Sequence, residues 1–163
     1  MTRNAIRIIG INPGTRYFGI AVLYGQELMD WRIKVLEGKW SKEKMKKAVS
    51  IIWDFVERYK PDILAIKKLH PSRRSEGLLR LVNRIKEFSK RKKIKVCQNS
   101  IKEIEGFFID EGKLNKGNLI EEIVKIYPIL HHDLMRERRR KNVYYVRAFE
   151  AVALASACSQ KRQ

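Results

Sequence analysis

The chain has 163 residues, with 36 Lys and Arg against 18 Asp and Glu, a formal net charge of +18 and a pI near 10.1. That length can bury a core as a single domain over residues 1–163 without disulfides or a structural metal, and Cys97 and Cys158 stand in no metal-binding spacing, so both are expected to be reduced thiols. No run approaches the roughly 18 apolar residues of a membrane span and no signal-peptide profile opens the chain, so a cytoplasmic protein with no membrane partner is expected.

The cationic excess points to a phosphate polyanion, and so to nucleic acid as the leading partner. A charge-rich surface of the thermophile kind is the alternative, but such surfaces raise acids together with bases, and here the acids do not keep pace.

In chain order, Arg7 to Asn12 reads as a strand, Pro13-Gly14 breaks it, and Tyr17 to Tyr24 resumes a β-rich pattern. Gly25-Gln26 makes a second short turn before a third strand, Glu27 to Leu36, which predicts a three-stranded antiparallel meander closed by Gly38. Ser41 caps a predicted helix whose apolar positions Met45, Ala48, Val49, Ile52, Val56 and Tyr59 recur at helical spacing and end before Pro61. The apolar run Ile63 to Leu69 suits a buried parallel strand reached by that helical crossover, stopped by His70-Pro71.

A second helix is predicted over Ser75 to Lys90, burying Leu78, Leu79, Val82, Ile85 and Phe88, and a strand follows from Ile94 to Gln98. Ser100 and Glu103 have capping-box spacing, for a short helix that turns Ile101 and Ile104 inward. Another helix is predicted from Asn115 to Ile126, ahead of Pro128. His131 to Asn142 has few apolar anchors and reads as a mobile basic arm or a solvated helix. From Tyr145 to Ser159 the small, apolar pattern predicts a terminal helix packed closely on a sheet, with Glu150 its one interior acid.

Three segments carry a more specific signal. Ile9-Gly10-Ile11-Asn12-Pro13-Gly14-Thr15-Arg16, followed by Gly19, resembles the opening motif of the RuvC family of Holliday-junction resolvases, with Asn12 at the usual Asp. Asp62-Ile63-Leu64-Ala65-Ile66-Lys67-Lys68 resembles the family's second motif, with Lys67 at its catalytic Glu. Arg147-Ala148-Phe149-Glu150, opening an alanine-rich helix, is similar to the last motif, where two acids fall on Arg147 and Glu150. The resemblance spans residues 5 to 158 and is weakest between 105 and 142. It implies an α/β ribonuclease H-like fold with a mixed five-stranded sheet flanked by helices, a homodimer, and branched DNA as partner.

Metal-dependent phosphodiester hydrolysis uses two divalent ions about 4 Å apart, held by hard oxygen ligands, usually three or four carboxylates. At Asn12, Lys67, Arg147 and Glu150 only one acid survives beside two cations, a set that repels Mg²⁺ and attracts phosphate, Arg with bidentate geometry. The expectation is a nucleic-acid-binding pseudo-nuclease with no cofactor and no metal site.

Three alternatives stay open. The first is an active Mg²⁺- or Mn²⁺-dependent endonuclease with carboxylates relocated among Asp30, Asp62, Glu103, Glu105, Asp110 and Glu111. The second is a sealed ion-pair cluster in which Glu150 pairs with Arg147 or Lys67. The third is a non-catalytic scaffold in a nucleoprotein assembly. An Asp-to-Asn knockout would account for Asn12 alone, since Lys67 and Arg147 are not isosteric with acids. Beyond the pocket, phosphate contacts are expected from Lys68, Ser72, Arg73, Arg74, Arg138, Arg139 and Arg140, with a solvated basic loop as the plainer reading of each cluster. Tyr17 is a candidate for base stacking, Phe18 for the core. His131-His132-Asp133 lacks the further ligands of a metal site.

Overall fold

The computed structural model describes residues 5–72, 75–140 and 144–161. Its centre is one five-stranded mixed sheet. β1 (Arg7–Asn12), β2 (Tyr17–Tyr24) and β3 (Glu27–Val35) form the antiparallel meander, with Gly25 at φ 58° supplying the left-handed turn between β2 and β3. α1 (Lys42–Tyr59) crosses over to β4 (Ile63–Lys67), which lies parallel to β1, and α2 (Glu76–Arg91) crosses to β5 (Lys95–Asn99), parallel to β4. The strand order is β3-β2-β1-β4-β5, a mixed five-stranded sheet as the resemblance implies.

Successive strand residues point to opposite faces. Ile9, Ile11, Phe18, Ile20, Val22, Leu64 and Ile66 therefore pack against α1 and α2, while Ile8, Ala21, Leu23, Ile63 and Ala65 pack against α3 (Ile101–Phe108), α4 (Lys116–Ile126) and α6 (Val146–Gln160).

Capping side chains close the helix starts, Ser41 as the sequence predicts and Ser75 and Asn115 in addition. Ser41 Oγ accepts from the Lys44 N–H at 3.1 Å, Ser75 Oγ from Leu78 at 3.1 Å, and Asn115 Oδ1 from Asn118 at 2.8 Å. The Ser100–Glu103 capping box is closed on both sides, and the hydrogen bond from the Ser100 backbone N–H, helped by the Ser100 hydroxyl and by Lys68 and Lys161 nearby, holds the Glu103 carboxyl below its ordinary range. Ser100→Ala is expected to lower stability by about 1 kcal/mol in urea unfolding. Because the folded carboxyl is depressed, the contribution of Glu103 is present above the ordinary carboxylate range and is lost as pH falls through the lowered folded value.

Several expectations shift. The buried stripe of α1 runs through Lys44, Ala48, Ile52, Phe55 and Val56, leaving Met45, Val49 and Tyr59 half-buried. Lys44 tolerates burial because its ammonium donates to the Gly38 carbonyl at 2.5 Å. In α2, Leu81 is buried while Leu78 and Leu79 are half-buried. β4 stops at Lys67, so Leu69 lies outside it.

Of the two readings of the basic segment, the helix holds from His131 through Arg138 and the arm does not. A short 3₁₀ turn (Pro128–Leu130) leads into α5 (His131–Arg138), with Leu130 and Leu134 in the core and Asp133 accepting from Trp31 Nε1 at 2.6 Å. Lys141 and Asn142 lie outside the described residues.

α6 is buried almost continuously from Ala148 to Cys158 and lies across β1 and β2 at glycine positions. A Cβ on Gly10 would stand 2.0 Å from the Ala151 carbonyl oxygen, and one on Gly19 would stand 2.0 Å from that of Arg147. No helix of the described residues is long and apolar enough to cross a membrane.

Candidate nucleic-acid interface

Parallel pairing of Ile11 with Ile66 brings the next residues, Asn12 and Lys67, side by side at the carboxyl ends of β1 and β4, both on the α6 face. α6 contributes Arg147 and Glu150, one helical turn apart. The strand ends and the helix start thus gather all four residues singled out by the resemblance.

Asn12 is fully buried, and its Nδ2 donates to the Arg147 carbonyl at 3.4 Å while its Oδ1 finds no hydrogen-bond partner among the described residues. Glu150 is 2% exposed and faces two ammonium groups, Lys67 Nζ at 3.9 Å from Oε2 and Lys116 Nζ at 3.7 Å from Oε1. No ion pair joins Glu150 to Arg147 among the described residues. Arg147 turns instead toward the β1–β2 loop, where its Nη1 lies 3.4 Å from the point a Cβ on Gly14 would occupy.

Lys116 went unmarked in the sequence. Its signal was a misfit, since a lysine opens α4 at the helix end where an acid is favoured. The Lys116 side chain is 62% exposed and that of Lys67 is 24% exposed, so the cluster opens to solvent rather than being sealed. With Lys67 and Lys116 on one carboxylate and Arg147 one helical turn from it, the pocket is net positive.

These residues do not fit a pair of divalent ions. The Asn12 amide oxygen and Glu150 are the only oxygen ligands among the four motif positions, and two ammonium groups already lie on the carboxylate. Most of the acids considered for a relocated site are engaged elsewhere. Asp30 accepts from the Tyr59 hydroxyl at 2.8 Å and Arg32 Nε at 3.1 Å, Asp62 accepts from the Arg7 backbone N–H at 2.9 Å, and buried Glu105 has Lys102 Nζ at 3.6 Å. Asp110 and Glu111 are exposed beyond α3. No three His, Cys, Asp or Glu side chains among the described residues gather as a ligand set, His131-His132-Asp133 included.

Of the outlying cations, Lys68 is exposed directly after β4. Ser72 turns its hydroxyl to His70 Nδ1 at 2.6 Å, and Arg73 and Arg74 lie outside the described residues. On α5, Arg138 pairs with Glu121 at 3.6 Å; Arg139 follows as its exposed C-cap, and the Arg140 guanidinium lies 4.5 Å from the Tyr144 ring centroid.

The sequence matches no protein-family model and no curated protein. Solved structures are similar over nearly the whole chain. RuvC of Thermus thermophilus has a TM-score of 0.75 at 14% identity, with 96% of each chain covered, and a second structure of it, in complex with a Holliday junction substrate, has a TM-score of 0.74 at 13% identity, covering 96% of this chain and 95% of that one. The fowlpox virus Holliday junction resolvase has a TM-score of 0.62 at 16% identity, covering 96% and 99% of the two chains. The fold of this chain is therefore that of RuvC and other Holliday-junction resolvases, a ribonuclease H-like α/β architecture on a mixed five-stranded sheet.

Proposed function

We propose that this chain is a pseudo-nuclease that binds branched DNA through the pocket at the ends of β1 and β4 and does not cut it. The observation that carries this reading is the pair of ammonium groups, Lys67 and Lys116, flanking the one remaining carboxylate. Where a metal-dependent nuclease bridges protein to phosphate through divalent ions, lysine and arginine side chains make the contact directly, without ion or cofactor. The net charge of +18 supports the same reading, because sequence-independent backbone contacts need such an excess. The junction-bound structure with the shared fold favours branched DNA over plain duplex. A homodimer presenting two basic faces to a junction, and a cytoplasmic location, belong to the same proposal.

The test is a gel-shift titration of labelled four-way junction, duplex and RNA at matched ionic strength, in EDTA and in Mg²⁺, with a cleavage readout. Junction binding that persists in EDTA, with intact strands in Mg²⁺, is the expected result. Mg²⁺- or Mn²⁺-dependent cleavage abolished by Glu150→Ala would establish an active endonuclease instead. Failure to bind any of the three at moderate salt would leave a scaffold.

A further inference from the structure

Beside the pocket, the same face of the sheet carries an aromatic cluster that phosphate binding does not use. Tyr17 and Gly19 share a face of β2, and Gly19 pairs with Asn12, so Tyr17 lies on the α6 side of the sheet; Phe18 points the other way and is 1% exposed. Tyr17 meets Tyr144 edge to face, with ring centroids 5.8 Å apart and planes at 84°. Arg16 lies 5.4 Å from the Tyr17 ring centroid and Arg140 lies 4.5 Å from that of Tyr144, so two tyrosines are flanked by two guanidinium groups.

A core aromatic pair would be sealed. Here both rings are half-buried and both arginines exposed. The support beneath the rings is already in place, because the Glu137 carboxylate accepts from the Tyr144 N–H at 2.9 Å and also from the Tyr145 N–H, tying the end of α5 to the start of α6. The cluster and the pocket share one loop, since a Cβ on Gly14 would meet the Tyr17 carbonyl oxygen at 2.2 Å and Arg147 Nη1 at 3.4 Å.

Half-exposed aromatic rings interleaved with guanidinium groups match what an unpaired nucleotide offers, a π-face for the ring and a phosphate for the cation. We propose that Tyr17 and Tyr144 form a corner that takes an unpaired base, stacked on one ring and met edge-on by the other, of DNA whose backbone is held by Lys67, Lys116 and Arg147. This rests on the DNA-binding reading above, and adds that the chain selects for unpaired bases beside the branch, which phosphate contacts alone cannot do.

The test uses the full chain and a forked DNA with 2-aminopurine at its first unpaired position, the same fork with an abasic site there, and a blunt duplex. Expected are a change in 2-aminopurine fluorescence on binding and about tenfold tighter binding of the base-bearing fork than the abasic one. Tyr17→Leu and Tyr144→Leu should erase that preference with duplex affinity unchanged, and Tyr17→Phe and Tyr144→Phe should retain it. Equal affinity for the two forks, or Leu variants that weaken fork and duplex alike, would overturn the base-binding corner and leave DNA binding standing. Loss of binding to all three DNAs would overturn the DNA-binding reading, and the corner with it.

Discussion

Gly19→Val is expected to lower the stability of the folded chain by about 3 kcal/mol, and its melting temperature by roughly 10 °C. A Cβ at this position would stand 2.0 Å from the Arg147 carbonyl oxygen, 2.4 Å from its carbon and 2.9 Å from the Ala148 nitrogen. Every one of those atoms is backbone, so no rotamer change relieves the overlap and α6 must move off the sheet. Gly10 faces the same constraint further along, 2.0 Å from the Ala151 carbonyl oxygen.

Because α6 carries Arg147 and Glu150, the smaller Gly19→Ala should disturb the pocket as well as the core. Gly106, inside α3 with no atom within 4 Å of an added Cβ, is the control, and Gly106→Ala is expected to raise stability by up to about 1 kcal/mol. Thermal unfolding of the variants decides the matter. A Gly19→Val protein that melts with the wild type would show that α6 does not need this approach.

Reversing two pocket charges in Lys67→Glu/Arg147→Glu is expected to weaken junction binding about a hundredfold near physiological salt, since it takes two cations away from the phosphates and puts two like charges in their place. The slope of log affinity against log salt should become shallower by about 2, one for each phosphate that Lys67 and Arg147 neutralise. Lys67→Gln/Arg147→Gln should show the same slope change with a smaller loss of affinity, and it spares buried Glu150 a second carboxylate beside it. Lys116 still faces Glu150 in either variant, so the buried charge keeps one partner. Anisotropy titrations across a salt series measure both quantities. Tight binding indifferent to both pairs would move the DNA surface away from the ends of β1 and β4.

Wherever a feature depends on neighbours in sequence, it was legible before the structure. The Pro13-Gly14 break and the Gly25-Gln26 turn follow from local backbone preferences, and the Ser41 cap and the Ser100–Glu103 box from hydrogen bonds reaching only a few residues. Hydrophobic period places the five strands and the helices other than α5 to within a few residues, but it misses Lys44 and Phe55 among the side chains α1 buries. Lys44 goes inside because a carbonyl from the preceding loop receives it, and Phe55 joins the core cluster between the sheet and α1 and α2. The sequence leaves α5 open between an arm and a solvated helix, because what holds it, Leu130 and Leu134 in the core and the Trp31–Asp133 hydrogen bond, is met across the fold.

By itself the sequence determined the charge, the order of the sheet and its main helices, and the presence of Asn12, Lys67 and Arg147 where the resemblance expects acids, because residue identity and local periodicity are properties of short segments. Only the tertiary structure decided what those replacements meet. It closed Lys116 onto Glu150 from a helix that begins far along the chain, turned Arg147 toward Gly14 rather than Glu150, and set Tyr17 beside Tyr144. Contacts between residues so distant in sequence depend on sheet register and helix placement, which no local pattern encodes.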